Sequence, residues 1–219
     1  MLENEEDLQL VDSIEQGQNF RNWMSSSYSS ILAVSHEGYE ESPWKPHLGY
    51  LATYRYCRAT RTEYTIPLVP IHWPKKDDKV YDEGLHVLLR FLIEKIISQL
   101  PQHSELLENV SWDDIDDDNE LHLCHILKAL LRKPARPHEH DTVYVSLGCL
   151  SGHESSKKEE PETNSFFRKL YYLIDDIRKQ QHDYLPLNVI LTAPWHTDLS
   201  QILEDDGQTF VHISPDRLT

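Results

Sequence analysis

Apolar residues along this chain alternate between two rhythms, short unbroken runs and stripes at three-to-four-residue spacing, which predicts strands separated by helices. Ser29 to Val34 is a compact apolar run that reads as a buried strand, and Leu48 to Thr60 reads as the helix after it. Ahead of them, Leu8 to Glu15 predicts a short helix. Phe20 to Met24 predicts a second, with Phe20 and Trp23 on one face at spacing three. Tyr64 to Trp73 (YTIPLVPIHW) is rich in β-formers, but Pro67 and Pro70 each remove a ladder donor. That strand belongs at a sheet edge or is broken. Gly84 to Leu100 is a regular helix with Leu85, Leu88, Leu89, Leu92, Ile93, Ile96 and Ile97 on one stripe.

The second half repeats the alternation. Past Pro101 lies an acidic connection, and Glu120 to Arg132 (ELHLCHILKALLR) forms a helix whose basic end suits its macrodipole. Pro134 to Pro137 breaks it. Thr142 to Leu147 is a short apolar strand, and Ser151 to Asn164 is a polar loop. Ser165 to Gln181 is amphipathic, with Phe166, Leu170, Leu173, Ile174 and Ile177 inward and Ser165 as N-cap. Leu187 to Thr192 is the next buried strand, Asp198 to Leu203 a short helix, and Phe210 to Ile213 a last strand. Strands separated by helices of this length imply an α/β fold, a doubly wound, mainly parallel sheet with helices on both faces.

A length of 219 residues suits one domain, read as residues 20–219, preceded by an acidic N-terminal segment over 1–19. No apolar run reaches the roughly 18 residues that a membrane helix needs. The opening Met-Leu-Glu-Asn-Glu-Glu-Asp has neither the basic region nor the apolar core of a signal peptide. The three cysteines, Cys57, Cys124 and Cys149, are an odd, sparse set that reads as reduced thiols. An intracellular location, cytoplasmic or nuclear, is the expectation. The net charge of -16 argues against a protein that grips a nucleic acid backbone, and it leaves room for a basic protein partner. Much of the excess is local, in Glu3 to Asp7, Asp113 to Glu120, Glu159 to Glu162 and Glu204 to Asp206.

The turn after the first strand carries the sharpest chemical information. A strand-to-helix turn at this place is where GxxxxGK[ST] cradles phosphates with glycine amides, a lysine and a magnesium-binding hydroxyl. This chain offers His36, Glu37, Gly38, Tyr39, Glu40, Glu41, Ser42 and Pro43 instead. Three carboxylates in the loop repel a polyphosphate. Rival chemistries are weaker. His138-Glu139-His140-Asp141 with His122, Cys124 and His125 offers zinc-ligand types, but adjacent ligands in one strand approach point to opposite sides and no CxxC or HExxH spacing occurs. Ser42-Pro43-Trp44-Lys45 matches SxxK without the further motifs of serine acyl enzymes. Cys149 with His153 or His36 lies where α/β sheets place their sites, yet no third group that orients them is evident, and a structural cysteine is the simpler reading.

Taken in order, these pieces resemble the NACHT-type P-loop NTPases of the STAND class, especially their fungal branch. The resemblance spans about residues 20 to 213. The aromatic-Trp helix runs into the first strand through Phe20-Arg21-Asn22-Trp23-Met24 and Ser29-Ser30-Ile31-Leu32, and a Leu-rich helix ends in Gln99-Leu100. Val143-Tyr144-Val145-Ser146-Leu147 is similar to the Walker B strand, and Asn188-Val189-Ile190-Leu191-Thr192-Ala193-Pro194 to the sensor strand. The departures carry the meaning. Ser42-Pro43 stands where the resemblance places lysine and hydroxyl, with Lys45 displaced; Gly148-Cys149-Leu150-Ser151-Gly152-His153 replaces the metal-binding acids; Ala193-Pro194 replaces the sensor arginine. Phosphate cradle, metal acid and charge stabiliser are all missing, the parts on which phosphoryl transfer depends.

The resemblance therefore implies a three-layer P-loop-type domain without catalysis, cofactor or metal, acting as a protein-interaction or scaffold module. Its expected interaction surface gathers His36, Glu37, Tyr39, Glu40, Glu41, Trp44, Lys45, Cys149, His153, Trp195 and His196 at the carboxyl edge of the sheet. Two alternatives stand beside it. One is nucleotide binding without hydrolysis, with Lys45 or His36 in place of the lost lysine, and the other is an enzyme of different chemistry in the same cleft.

Overall fold

The computed structural model describes residues 5–36, 48–60, 66–72, 85–99, 119–133, 142–148, 160–194 and 210–213. Its elements in chain order are helices α1 (Glu5–Gln16) and α2 (Gln18–Met24), strand β1 (Ser30–His36), helix α3 (Leu48–Thr60) and strand β2 (Ile66–His72). Then come α4 (Leu85–Gln99), α5 (Glu120–Leu130), β3 (Val143–Gly148), α6 (Glu160–Lys179), β4 (Leu187–Pro194) and β5 (Phe210–Ile213). The architecture is α/β. The strands form one parallel sheet in the order β2-β3-β4-β1-β5.

β2 is an edge strand, as its prolines require. It pairs with β3 alone, and its register shifts between Ile66 and Val69, the interval that holds Pro67. In a central strand every amide faces a neighbouring strand, so a proline there leaves a ladder acceptor without its donor. The central strands β1, β3 and β4 are the unbroken apolar runs, and their side chains are buried on both sides.

Alternation along those strands builds two cores. Ile31, Ala33, Val143, Val145, Leu147, Leu187, Val189 and Leu191 join α4, α5 and α6 in an all-apolar cluster. The α4 stripe supplies Leu85, Leu88, Leu89, Leu92, Ile93 and Ile96, with Ile97 half buried at its margin. Leu32, Val34, Tyr144 and Ile190 face the other way and pack with α1, α2 and α3. Here Phe20 and Trp23 lie on the buried face of α2, ring centroids 5.9 Å apart. The acid-rich α1 belongs to this core through Leu10, Val11 and Ile14. Arg55 of α3 fastens it, at 2.9 Å to Asp12 and 3.1 Å to Glu15. Burial pushes the Glu15 carboxyl up, and the Arg55 charge pulls against that shift.

The second core is also where the polar residues of the strands gather. Tyr144, Ser146, Asn188 and Thr192 are all buried and fall on the even-numbered face. Asn188 accepts a hydrogen bond from Ser30 Oγ at 2.9 Å and donates Nδ2 to the Trp23 carbonyl at 3.4 Å. Ser29 Oγ accepts from the Leu187 amide at 2.9 Å, so the start of β4 is tied to the start of β1. Asn188→Leu is expected to lower the unfolding free energy by about 1–3 kcal/mol, because buried groups lose their partner. Urea denaturation checks it, and an unchanged midpoint overturns the role assigned to Asn188.

The boundary that departs furthest from its expectation is the start of α6. The sequence places the N-cap of α6 at Ser165, but the helix begins at Glu160 and Ser165 lies inside it. Proline suits the first turn of a helix, where its missing amide has no partner to lose, and acids there favour the dipole. Glu160-Pro161-Glu162 supplies both. The start of α5 is plainer, for Asn119 caps it by accepting from the amides of Leu121 and His122 at 3.1 and 3.3 Å.

α5 and α6 are joined by two ion pairs, Lys128 with Asp176 and Lys169 with Glu120, the latter at 2.7 Å. The hydrogen bond from Lys128 holds the Asp176 carboxyl below its ordinary value of 3.8. A depressed folded-state value stabilises above the unfolded value and is lost as pH falls through the folded one. Asp176 is partly exposed, so the effect is small. The wild type is expected to exceed Asp176→Asn in urea midpoint at neutral pH, with the difference vanishing in acid below the carboxylate range. A difference that persists at pH 2, about two units under the ordinary value, assigns it to something other than this charge.

Candidate interaction surface at the carboxyl edge of the sheet

Because all five strands are parallel, their carboxyl ends stand along one edge. The register makes this concrete. Gly148 pairs with both His72 and Thr192, and Thr192 with Val34. His36 ends β1 between Pro194 of β4 and Ile213 of β5. The strands read as carrying the phosphate loop, the sensor and the metal acids are thus immediate neighbours, in the order β1, β4, β3.

Two connections at the amino edge of the sheet are short and hydrogen-bonded. Residues 25–29 join α2 to β1, and residues 180–186 join α6 to β4. There Tyr144 donates its hydroxyl to the Met24 carbonyl at 2.8 Å. Leu185 donates its amide to Leu131 at 2.7 Å, and Lys133 donates its own to Asp183 at 2.9 Å, around an antiparallel bridge between Arg132 and Tyr184. Val143 opens β3 by donating to the Pro186 carbonyl at 2.8 Å. From the carboxyl edge depart residues 37–47 after β1, 73–84 after β2, 149–159 after β3 and 195–209 after β4. Long connections at the carboxyl ends of strands are where open α/β sheets carry their function.

The helix after β1 starts close against the neighbouring strand. A Cβ on Gly49, in the first turn of α3, would lie 2.7 Å from Thr192 Oγ1 and 3.0 Å from Ile190 Cδ1. Only glycine lets the backbone of α3 approach the last turn of β4 this closely. Thr53 Oγ1 donates to the Gly49 carbonyl at 2.8 Å, one turn further on. The approach fixes where the connection 37–47 re-enters the fold, directly beside the end of β4.

Of the residues assigned to the surface from sequence, His36 is placed by its backbone at the end of β1. Glu37, Tyr39, Glu40, Glu41, Trp44, Lys45, Cys149, His153, Trp195 and His196 lie outside the described residues. Their connections nonetheless depart from neighbouring strand ends, since residues 36, 148 and 194 stand on one edge. The short helix expected over Asp198 to Leu203 and the metal-like run His138 to Asp141 also lie outside the described residues.

The other members of that metal-like set are on α5. His125 is exposed, while His122 and Cys124 are half buried. Burial pushes the Cys124 thiol up, away from the thiolate that a metal or an electrophile would need. Among the described residues, no group of three or more His, Cys, Asp or Glu side chains is arranged to hold a metal ion. Among them, too, no helix is long and apolar enough to cross a membrane.

Two features escaped sequence reasoning. The contact between Gly49 and Thr192 is one, because a glycine in a helical stretch usually signals nothing but lower propensity. The polar face of the strands is the other, although its signal was present in the even spacing of Tyr144, Ser146, Asn188 and Thr192 within apolar runs. Neither a protein-family model nor a curated protein matches this chain.

Proposed function

We propose that this chain is a doubly wound, three-layer domain of P-loop NTPase type, resembling the NACHT domains of the STAND class, whose catalytic apparatus is gone. It works as an intracellular protein-interaction or scaffold module. The observation that supports this most is the adjacency of β1, β4 and β3, whose ends at one sheet edge lead into three long connections. A phosphoryl-transfer site in such a fold needs the cradle after β1, the metal acids after β3 and the charge stabiliser after β4 to meet there. In this chain Ser42-Pro43, Gly148-Cys149 and Ala193-Pro194 occupy those places. All three components are replaced at one convergent edge.

The charge of two of the three connections favours a basic protein partner over a nucleotide, the third, residues 149–159, balancing Glu154 and Glu159 with Lys157 and Lys158. Residues 37–47 carry Glu37, Glu40 and Glu41 against Lys45, and residues 195–209 carry Asp198, Glu204, Asp205 and Asp206 with no lysine or arginine. Carboxylates at an edge repel polyphosphate and attract cationic side chains, and they steer association by the same field.

Titration calorimetry with ATP, GTP, ADP and GDP, with and without magnesium, is expected to give no heat and no accompanying thermal shift. A saturating heat at micromolar nucleotide overturns the emptied-site reading and favours nucleotide binding without hydrolysis. In parallel, affinity purification of the intact protein is compared with a variant carrying Glu37→Lys, Glu40→Lys and Glu41→Lys. Partners are expected to be lost from the variant. An identical partner list removes the surface from this edge.

A further inference from the structure

We draw no further inference here: the strongest candidate, the exposed apolar side chains Leu121 on α5 and Tyr172 on α6, 68% and 65% exposed, carries nothing because nothing in the structure shows what covers them.

Discussion

Tyr144→Ala is expected to lower the unfolding free energy by about 3–5 kcal/mol, the range for removing a buried aromatic side chain from a core. Tyr144 is nearly fully buried in β3, with its ring packed edge-on against Trp23 at a centroid separation of 5.5 Å. Its hydroxyl donates to the Met24 carbonyl, the last residue of α2. Burial holds the phenol far above its ordinary range, so it stays a neutral donor across the accessible pH scale. One side chain therefore fills the smaller core and ties α2 to the sheet.

The two roles separate experimentally. Tyr144→Phe keeps the ring and loses the hydroxyl, and it is expected to cost about 1–2 kcal/mol by leaving a buried carbonyl without this donor. The remainder of the alanine effect is then packing. Chemical denaturation of both variants against the wild type gives the split. Equal losses from alanine and phenylalanine would contradict it, since they would assign the whole effect to one hydrogen bond.

Gly49→Val is expected to be the second severe change, at about 1–3 kcal/mol of overpacking. The first added carbon already meets Thr192 Oγ1 at 2.7 Å. Thr192 is itself β-branched and buried, so it has little room to swing away. Ile190 closes the other side, with Cδ1 and Cγ1 at 3.0 and 3.1 Å. Gly49→Ala should fall below Val, because alanine recovers up to about 1 kcal/mol of helix propensity while meeting the same contact.

The glycine change also reaches the proposed surface. α3 must move off β4 to admit a side chain, and the connection 37–47 ends on α3. Partner capture is therefore expected to drop for Gly49→Ala at temperatures where the variant remains folded by circular dichroism. A folded variant with undiminished capture shows that the surface does not depend on this seat. Tyr144→Phe is the matched control, as its hydroxyl acts at the opposite edge of the sheet.

Much of the fold was legible in the chain because its signals are local. The run Ile31 to Val34 is buried on both faces, and unbroken apolar character is what a central parallel strand requires. Leu85 to Ile96 repeats at helical spacing, and those side chains are the buried ones. Pro67 and Pro70 marked a strand at an edge or broken, since a residue without an amide proton leaves a gap in a ladder, and β2 is an edge strand with a shifted register. Local signals fail where two rules compete. Ser165 looked like a cap because serine favours that role, yet the helix starts earlier, where proline and acids also suit a first turn.

The candidate site divides along the same line. That the turn after β1 lacks the phosphate-binding residues follows from the letters His36 to Pro43, and no coordinates are needed for it. Gly148-Cys149 after Leu147 and Ala193-Pro194 after Thr192 are read off the letters in the same way, and it is the resemblance that makes losses of them. That these three segments leave one sheet edge does not follow from the letters, because they are scattered across more than half the chain. Strand order decides it, with β4 inserted between β1 and β3.

By itself, then, the sequence determined most of the strands and helices, the unsuitability of β2 for the middle of a sheet, and the absence of a phosphate-binding loop after β1. Each depends on periodicity or on a single residue's covalent structure, and such properties act over a few neighbours. Only the tertiary structure decided which strands lie side by side, which face takes the polar residues, and how closely α3 approaches β4 at Gly49. Those outcomes depend on burying both sides of one sheet at once, and that condition joins residues as distant as Trp23 and Asn188.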